Sequence, residues 1–256
     1  MLKYDGYLIC SDCDGTLTDH HQNISEENAE AIRYFQKNGG IFTVATGRAP
    51  HYITDYKNQF TPNAPIVALN GTSIYDLDKD ESLFDLILDD HAGDVPGYAN
   101  ENCDFIKTVH IVQLHHTYIW EKDKRIAFRD VYPHVSRPWY KILFLQNSEN
   151  ETLILQRDLM EKFSHRYQFD RSWTVGLEMH SKESGKGECV GRLKAFLDRP
   201  IHTTICVGDY ENDISMVEAA DIGCAVANAA DSVKAVADRI LASNNENAIA
   251  QLIYSL

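Results

Sequence analysis

Tyr7-Leu8-Ile9-Cys10-Ser11-Asp12-Cys13-Asp14-Gly15-Thr16-Leu17 is the stretch that decides the fold. A short apolar run without polar alternation passes directly into two carboxylates and a glycine. A run of that kind suits a strand buried on both faces of a parallel sheet. Four more runs of the same character follow, at residues 41–45, 66–69, 204–207 and 222–226. Helical stretches lie between or after them. Ser25 is placed to cap a helix, Glu26 and Glu27 suit its first turn, and Ala29, Ile32 and Phe35 are spaced for one face before Gly39-Gly40 stops it. Residues 187–197, 211–219, 232–241 and 247–254 read as further helices. Strands alternating with helices predict an α/β fold with a doubly wound, Rossmann-like parallel sheet.

That rhythm breaks between residues 76 and 180. Aromatic-rich segments at 105–120, 140–145 and 173–179 replace it, with one helix predicted at 149–163. In the last segment Trp173, Val175, Leu177 and Met179 share a face, the pattern of a half-exposed sheet. The reading is a core of residues 1–76 and 182–256, interrupted by an inserted α+β domain at 77–181.

Composition narrows the partners. The chain has 256 residues, with 24 Lys+Arg against 38 Asp+Glu, for a net charge of -14. An acidic surface repels nucleic acid and anionic membranes, so neither is expected as a partner. A small anionic substrate is compatible, because a metal ion or one lysine makes a site locally positive. No apolar run approaches the ~20 residues of a membrane span, and the N-terminal residues lack the pattern of a secretory leader. A reduced, cytoplasmic protein is the expectation. Cys10 and Cys13 form a C-x-x-C, but a strand would turn them to opposite faces, and no second pair completes a zinc site. The pair is read as small buried apolar side chains.

Chemistry gathers at the ends of the core strands. The first ends in Ser11-Asp12-Cys13-Asp14-Gly15-Thr16, the second in Thr46-Gly47-Arg48, and the fourth in Gly208-Asp209-Tyr210-Glu211-Asn212-Asp213. Ligands of open α/β sheets bind outside the carboxyl ends of the strands, so these clusters should converge. Carboxylates brought together repel unless a cation joins them, and a hard ion with oxygen ligands, most simply Mg²⁺, does so. Asp12 and Asp14, two apart, can face one side, and Gly15 lets the backbone turn away. One carboxylate can attack phosphorus while the second protonates the leaving oxygen and then activates water. Thr46 offers a hydroxyl and a backbone N–H to phosphate oxygens. Lys186, between two glycines at a helix start, offers positive charge.

Taken together, Asp12-Cys13-Asp14-Gly15-Thr16-Leu17, Ala45-Thr46-Gly47-Arg48, Lys186 and Gly208-Asp209-x-x-Asn212-Asp213 resemble the four motifs of the haloacid dehalogenase superfamily. They stand in the same order, and the resemblance covers essentially the whole chain. The insert, with Leu69-Asn70-Gly71 before it, looks like the type-IIB cap of Cof-type phosphatases. The resemblance implies a Mg²⁺-dependent phosphohydrolase acting on a small phosphorylated metabolite, with Asp12 as nucleophile and Asp14 as general acid/base. It implies metal ligation by Asp12, the backbone carbonyl of Asp14 and Asp209, with Asp213 supporting. Thr46 and Lys186 would bind phosphate, and Gly47, Arg48 and Asn212 would contact phosphate or substrate.

Two other readings share these motifs. A sugar phosphomutase has a similar core and cap, and a phospho-switch receiver domain also joins an acidic pocket to an acceptor Asp, a Thr and a Lys. The second carboxyl at Asp14 and the large insert argue against the receiver. In the insert, His91, His110, His115, His116 and His134 read as solvated or substrate-facing rather than as zinc ligands. His115 and His116 are neighbours in a predicted strand and point apart. Trp120, Trp139, Tyr140 and Trp173 read as sheet packing.

Overall fold

The computed structural model describes residues 2–56, 58–122 and 127–256. Their first part runs β1 (Tyr7–Ser11), α1 (Glu26–Lys37), β2 (Ile41–Val44), α2 (Pro50–Thr54), β3 (Ile66–Ala68), β4 (Ser73–Asp76) and β5 (Glu81–Asp85). The middle contains α3 (Asp94–Asn102), β6 (Thr108–Val112), β7 (Thr117–Glu121), α4 (Phe128–Val131), β8 (Lys141–Leu145), α5 (Glu149–Phe163), β9 (Tyr167–Trp173) and β10 (Gly176–Ser181). The last part holds α6 (Lys186–Leu193), β11 (Thr203–Gly208), α7 (Ile214–Ala219), β12 (Ile222–Ala225), α8 (Asp231–Lys234), β13 (Arg239–Ile240) and α9 (Ala248–Ser255). Among these residues no helix is long and apolar enough to cross a membrane.

The chain divides into two compact units, residues 1–85 with 185–256, and residues 86–184. The first is built on a five-stranded parallel sheet in the order β13-β12-β11-β1-β2. Leu8, Ile9 and Cys10 of β1 are all buried, as are Phe42 and Val44 of β2 and Ile205, Cys206 and Val207 of β11. Consecutive buried side chains point to opposite sides of a strand, so both faces of the sheet centre are covered. Helix α1 packs on α9, and α6 on α7. Ser25 caps α1 by accepting the Asn28 N–H at 3.1 Å, and Ala29, Ile32 and Phe35 are buried as their spacing predicts. The carbonyl oxygen of the buried Asn28 side chain accepts the Ala250 N–H at 2.9 Å, fixing α1 against α9.

Two expectations for this unit are corrected. The run at 66–69 is not a further full strand of the parallel sheet. It forms β3, which pairs antiparallel with β4, and β4 with β5, so that β4 and β5 extend this unit past residue 76. A single parallel bridge between Ala45 and Val67 joins this ribbon to the end of β2. The helix expected at 232–241 is only the single turn of α8. Arg239 and Ile240 instead pair with Cys224 and Ala225 as edge strand β13, and both are exposed.

The second unit is a five-stranded antiparallel sheet, β7-β6-β8-β10-β9. One face carries Val109, Ile111, Ile142, Phe144, Leu177 and Met179, which join α3 and α5 in an apolar core. The α+β character stands, with α3 and α4 added to the one helix predicted. The expected alternation from Trp173 to Met179 is interrupted: Trp173 ends β9 and is 38% exposed, and Thr174-Val175 turn the chain into β10. Trp120 and Trp139 are packed in the core as expected. His115 and His116 lie in the β6–β7 connection rather than in a strand. The face of β10 opposite the core is buried too. Glu178 there accepts two bonds from Lys141 at 2.8 Å each, and His180 meets Asp170 at 3.0 Å and Ser184 at 2.8 Å.

Candidate active site

The strand ends of the parallel sheet bring the polar clusters together. Asp12 follows β1 directly and is 5% exposed. One of its oxygens accepts from Lys186 Nζ at 2.6 Å, and the same ammonium donates to Asp213 at 2.6 Å. Lys186 opens α6 with its side chain fully buried. The approach requires Gly187: a Cβ there would lie 2.3 Å from the Ser215 carbonyl oxygen, so only glycine lets α6 sit this close to α7. The second Asp213 oxygen accepts the N–H groups of Asp209 and Tyr210 at 2.8 and 3.2 Å, which fixes the loop after β11.

Asp209 stands beside this bridge and accepts from the Thr16 hydroxyl at 3.0 Å. Carboxylate oxygens of Asp12, Asp209 and Asp213 all lie within 4.8 Å of one another. Three carboxylates thus face one ammonium in a largely buried setting. Burial, then the neighbouring Asp213, pushes the Asp209 carboxyl up to about 7. Burial pushes Asp12 well up as well, with Asp213 and Asp209 adding to it and Lys186 opposing. The two carboxylates hold Lys186 firmly protonated against the burial that opposes its charge. This surplus of buried negative charge and hard oxygen donors suits a small divalent cation such as Mg²⁺. Asp12 and Asp209 would hold it, with Asp213 behind them.

Asp14 is not one of the trio. Its carboxylate turns to Arg48, which grips both oxygens, Nε to Oδ2 at 2.6 Å and a terminal nitrogen to Oδ1 at 2.5 Å. That fork raises the proton affinity of the guanidinium, which stays charged. Directly after Asp14 the backbone turns through Gly15 at φ +78°, where a Cβ would also come within 2.6 Å of an Asp209 oxygen.

Thr46, Gly47 and Arg48 follow β2 and its bridge. The Thr46 N–H, expected to serve phosphate, instead donates to the Val67 carbonyl at 2.9 Å, because the chain continues the pairing with β3 past β2. The Thr46 hydroxyl oxygen accepts the Arg48 N–H at 3.1 Å, so the proton of that hydroxyl is the group this residue can offer. Asn212 donates to the Asn70 side chain at 3.1 Å. Asn70, in the left-handed region at φ 58°, donates its N–H to the Thr46 carbonyl at 3.0 Å.

Four residues of this surround were given no role in the sequence reading: Thr16 and Asn70, which stand inside quoted stretches, and Ser215 and Asn228, which do not. Ser215 accepts the Gly187 N–H at 3.1 Å, and Asn228 donates to the Gly15 carbonyl at 2.8 Å. Asn-Gly at 70–71 is a turn signal, and Thr16 lies inside the first cluster. Asn228 carries no local signal, because its partner is 213 residues away.

Comparison with known proteins identifies a family. A family model for haloacid dehalogenase-like hydrolases matches residues 9–253. The chain is 24% identical over 250 residues to a 5-amino-6-(5-phospho-D-ribitylamino)uracil phosphatase of Bacillus subtilis (strain 168), covering 96% of this chain and 94% of that protein. It is also 24% identical over 280 residues to a pyridoxal phosphate phosphatase of Escherichia coli (strain K12), covering 97% of each. Among solved structures, a haloacid dehalogenase-like hydrolase from B. subtilis superposes with a TM-score of 0.84 at 22% identity, over 97% of this chain and 99% of that one. A subclass IIB sugar phosphatase of the same superfamily gives 0.81 at 17% identity, over 97% and 98%. The chain belongs to the haloacid dehalogenase-like hydrolase family, as an enzyme of the phosphatase kind.

Proposed function

We propose that this enzyme hydrolyses small phosphomonoesters, a sugar phosphate or a phosphorylated cofactor, through an aspartyl-phosphate on Asp12 and with Mg²⁺ bound. The observation that carries the reading is the buried Asp12–Lys186–Asp213 bridge with Asp209 beside it. Bound there, Mg²⁺ supplies charge neutralisation for the carboxylates and for the phosphoryl oxygens.

Lys186 occupies one Asp12 oxygen and leaves the other to attack phosphorus. As that O–P bond forms, the P–O bond to the alcohol breaks, and Asp14 gives the alcohol oxygen its proton. Asp14 then takes a proton from the water that attacks the aspartyl-phosphate, which frees inorganic phosphate and restores the Asp12 carboxylate. Lys186 and the Thr46 hydroxyl hold the phosphoryl oxygens, and Gly47, Arg48 and Asn212 border the substrate. Arg48 grips both Asp14 oxygens, so it must release one before that carboxyl can transfer a proton. The incoming phosphoryl group, itself an anion, competes for the guanidinium. The named relatives, which include a ribitylamino-uracil phosphatase and a pyridoxal phosphate phosphatase, support a small phosphorylated metabolite as substrate.

The test is phosphate release from a panel of phosphorylated sugars and cofactors, with and without Mg²⁺. Metal-dependent release from members of the panel is expected. Isomerisation of a sugar phosphate without release would favour a phosphomutase, and a long-lived phosphoenzyme without turnover would favour a phospho-switch.

A further inference from the structure

The turn that carries Asp14 is held from outside its own segment. Asp14 (φ -78°, ψ 120°) and Gly15 (φ 78°, ψ -1°) occupy the two central places of a type II turn. Thr18 ties off the wider loop around it, its N–H and hydroxyl both donating to the Cys13 carbonyl at 2.9 Å. Two asparagines from the far side of the sheet then prop it. Asn228, on the loop after β12, donates to the Gly15 carbonyl at 2.8 Å and accepts the Asn244 N–H at 2.9 Å. Asn244, beyond β13, donates from its side chain to the Thr18 carbonyl at 2.8 Å. The same loop fixes Asp209 by a bond from the Ala230 N–H to its carbonyl at 2.8 Å.

We propose that Asn228, braced by Asn244, is a positioning residue for Asp14, setting where its carboxyl meets the leaving-group oxygen. The inference rests on the reading of Asp14 as acid/base. Asp14 sits at the corner of its turn with its side chain 47% exposed. Little packing therefore holds the corner, and apart from the Arg48 fork its place depends on the backbone that Asn228 and Asn244 tie to the sheet. A shift of about 1 Å in a reacting group is enough for a loss on the order of 100-fold.

General support of the fold would affect all substrates alike, whereas proton delivery does not. An alkyl phosphate must expel a basic alkoxide and needs the Asp14 proton. 4-Nitrophenyl phosphate expels a stable phenolate and needs it little. The experiment compares kcat/KM for glycerol 2-phosphate and 4-nitrophenyl phosphate in wild type, N228A, N244A and D14N. This parameter covers steps only through release of the alcohol or phenol, so hydrolysis of the phosphoenzyme does not enter.

For N228A the expected loss is about 10- to 100-fold on the alkyl ester and no more than about 3-fold on the aryl ester. N244A should show the same bias to a smaller degree. The N228A/D14N double variant should be no worse on the alkyl ester than D14N alone, since both act through one carboxyl. Equal losses on both esters, no loss, or failure of both asparagine variants to fold would overturn the proposal. A wild type that released phosphate from neither these esters nor any member of the metabolite panel would instead overturn the reading on which the proposal rests.

Discussion

Lys186 is the residue on which the site's electrostatics turn. It is the shared partner of Asp12 and Asp213, and all three are buried. Removing one member of such a group leaves like charges unpaired, which typically costs about 3–5 kcal/mol. Lys186→Met should therefore lower stability in denaturant titration and reduce turnover by roughly 100-fold or more, because charge aimed at the phosphoryl group is lost. A variant with unchanged midpoint and turnover would remove Lys186 from the site. These residues were legible before folding, since each sits at a strand end or a helix start and their chemistry is shared. The Thr46 N–H was misassigned because its partner, the Val67 carbonyl, belongs to a strand pairing that local sequence does not specify.

At the scale of elements, buried strands were read well and edges poorly. The runs that became β1, β2, β11 and β12 are apolar because both faces are covered, so burial is written into their composition. Strand β13 has only Arg239 and Ile240, both exposed, and pairs along one side, so nothing in its composition separates it from a helix end. The run at 66–69 has the composition of a central strand, yet its backbone pairs antiparallel with β4, and apolar content does not encode direction. In the second unit, Glu178 and His180 look like the solvent face of an alternating strand. They are buried because Lys141, Asp170 and Ser184 satisfy them. Helix α1 was legible from its Ser25 cap and spacing and α5 as a helical stretch, and in the structure Ser25 and Ser148 each accept an N–H three residues on. Short α4 has neither signal.

The whole molecule carries its -14 charge unevenly. Most acids are solvated, whereas Asp12, Asp209 and Asp213 concentrate charge where burial opposes it. Asp209 is pushed up to about 7 from 3.8, by burial first. Between those values the folded state binds more protons than the unfolded state, so this group makes stability fall as pH rises through the window. A bound cation reverses the penalty. Without metal, Asp209→Asn should melt higher than wild type at pH 8 by roughly 2–4 °C, and the gap should close toward pH 4. Added Mg²⁺ should raise the wild-type midpoint more at pH 8 than at pH 5, and that of the variant little at either. Equal metal response in the two proteins would place the cation elsewhere.

The central claim is that phosphorus passes through Asp12. Rapid quenching of the enzyme during turnover with Mg²⁺, followed by borohydride reduction and peptide mass spectrometry, reads that event directly. Reduction of an aspartyl-phosphate converts the residue to homoserine, and the account predicts homoserine at position 12 and at no other aspartate. Steady turnover with an unmodified Asp12, or homoserine at Asp14 or Asp209, would contradict it.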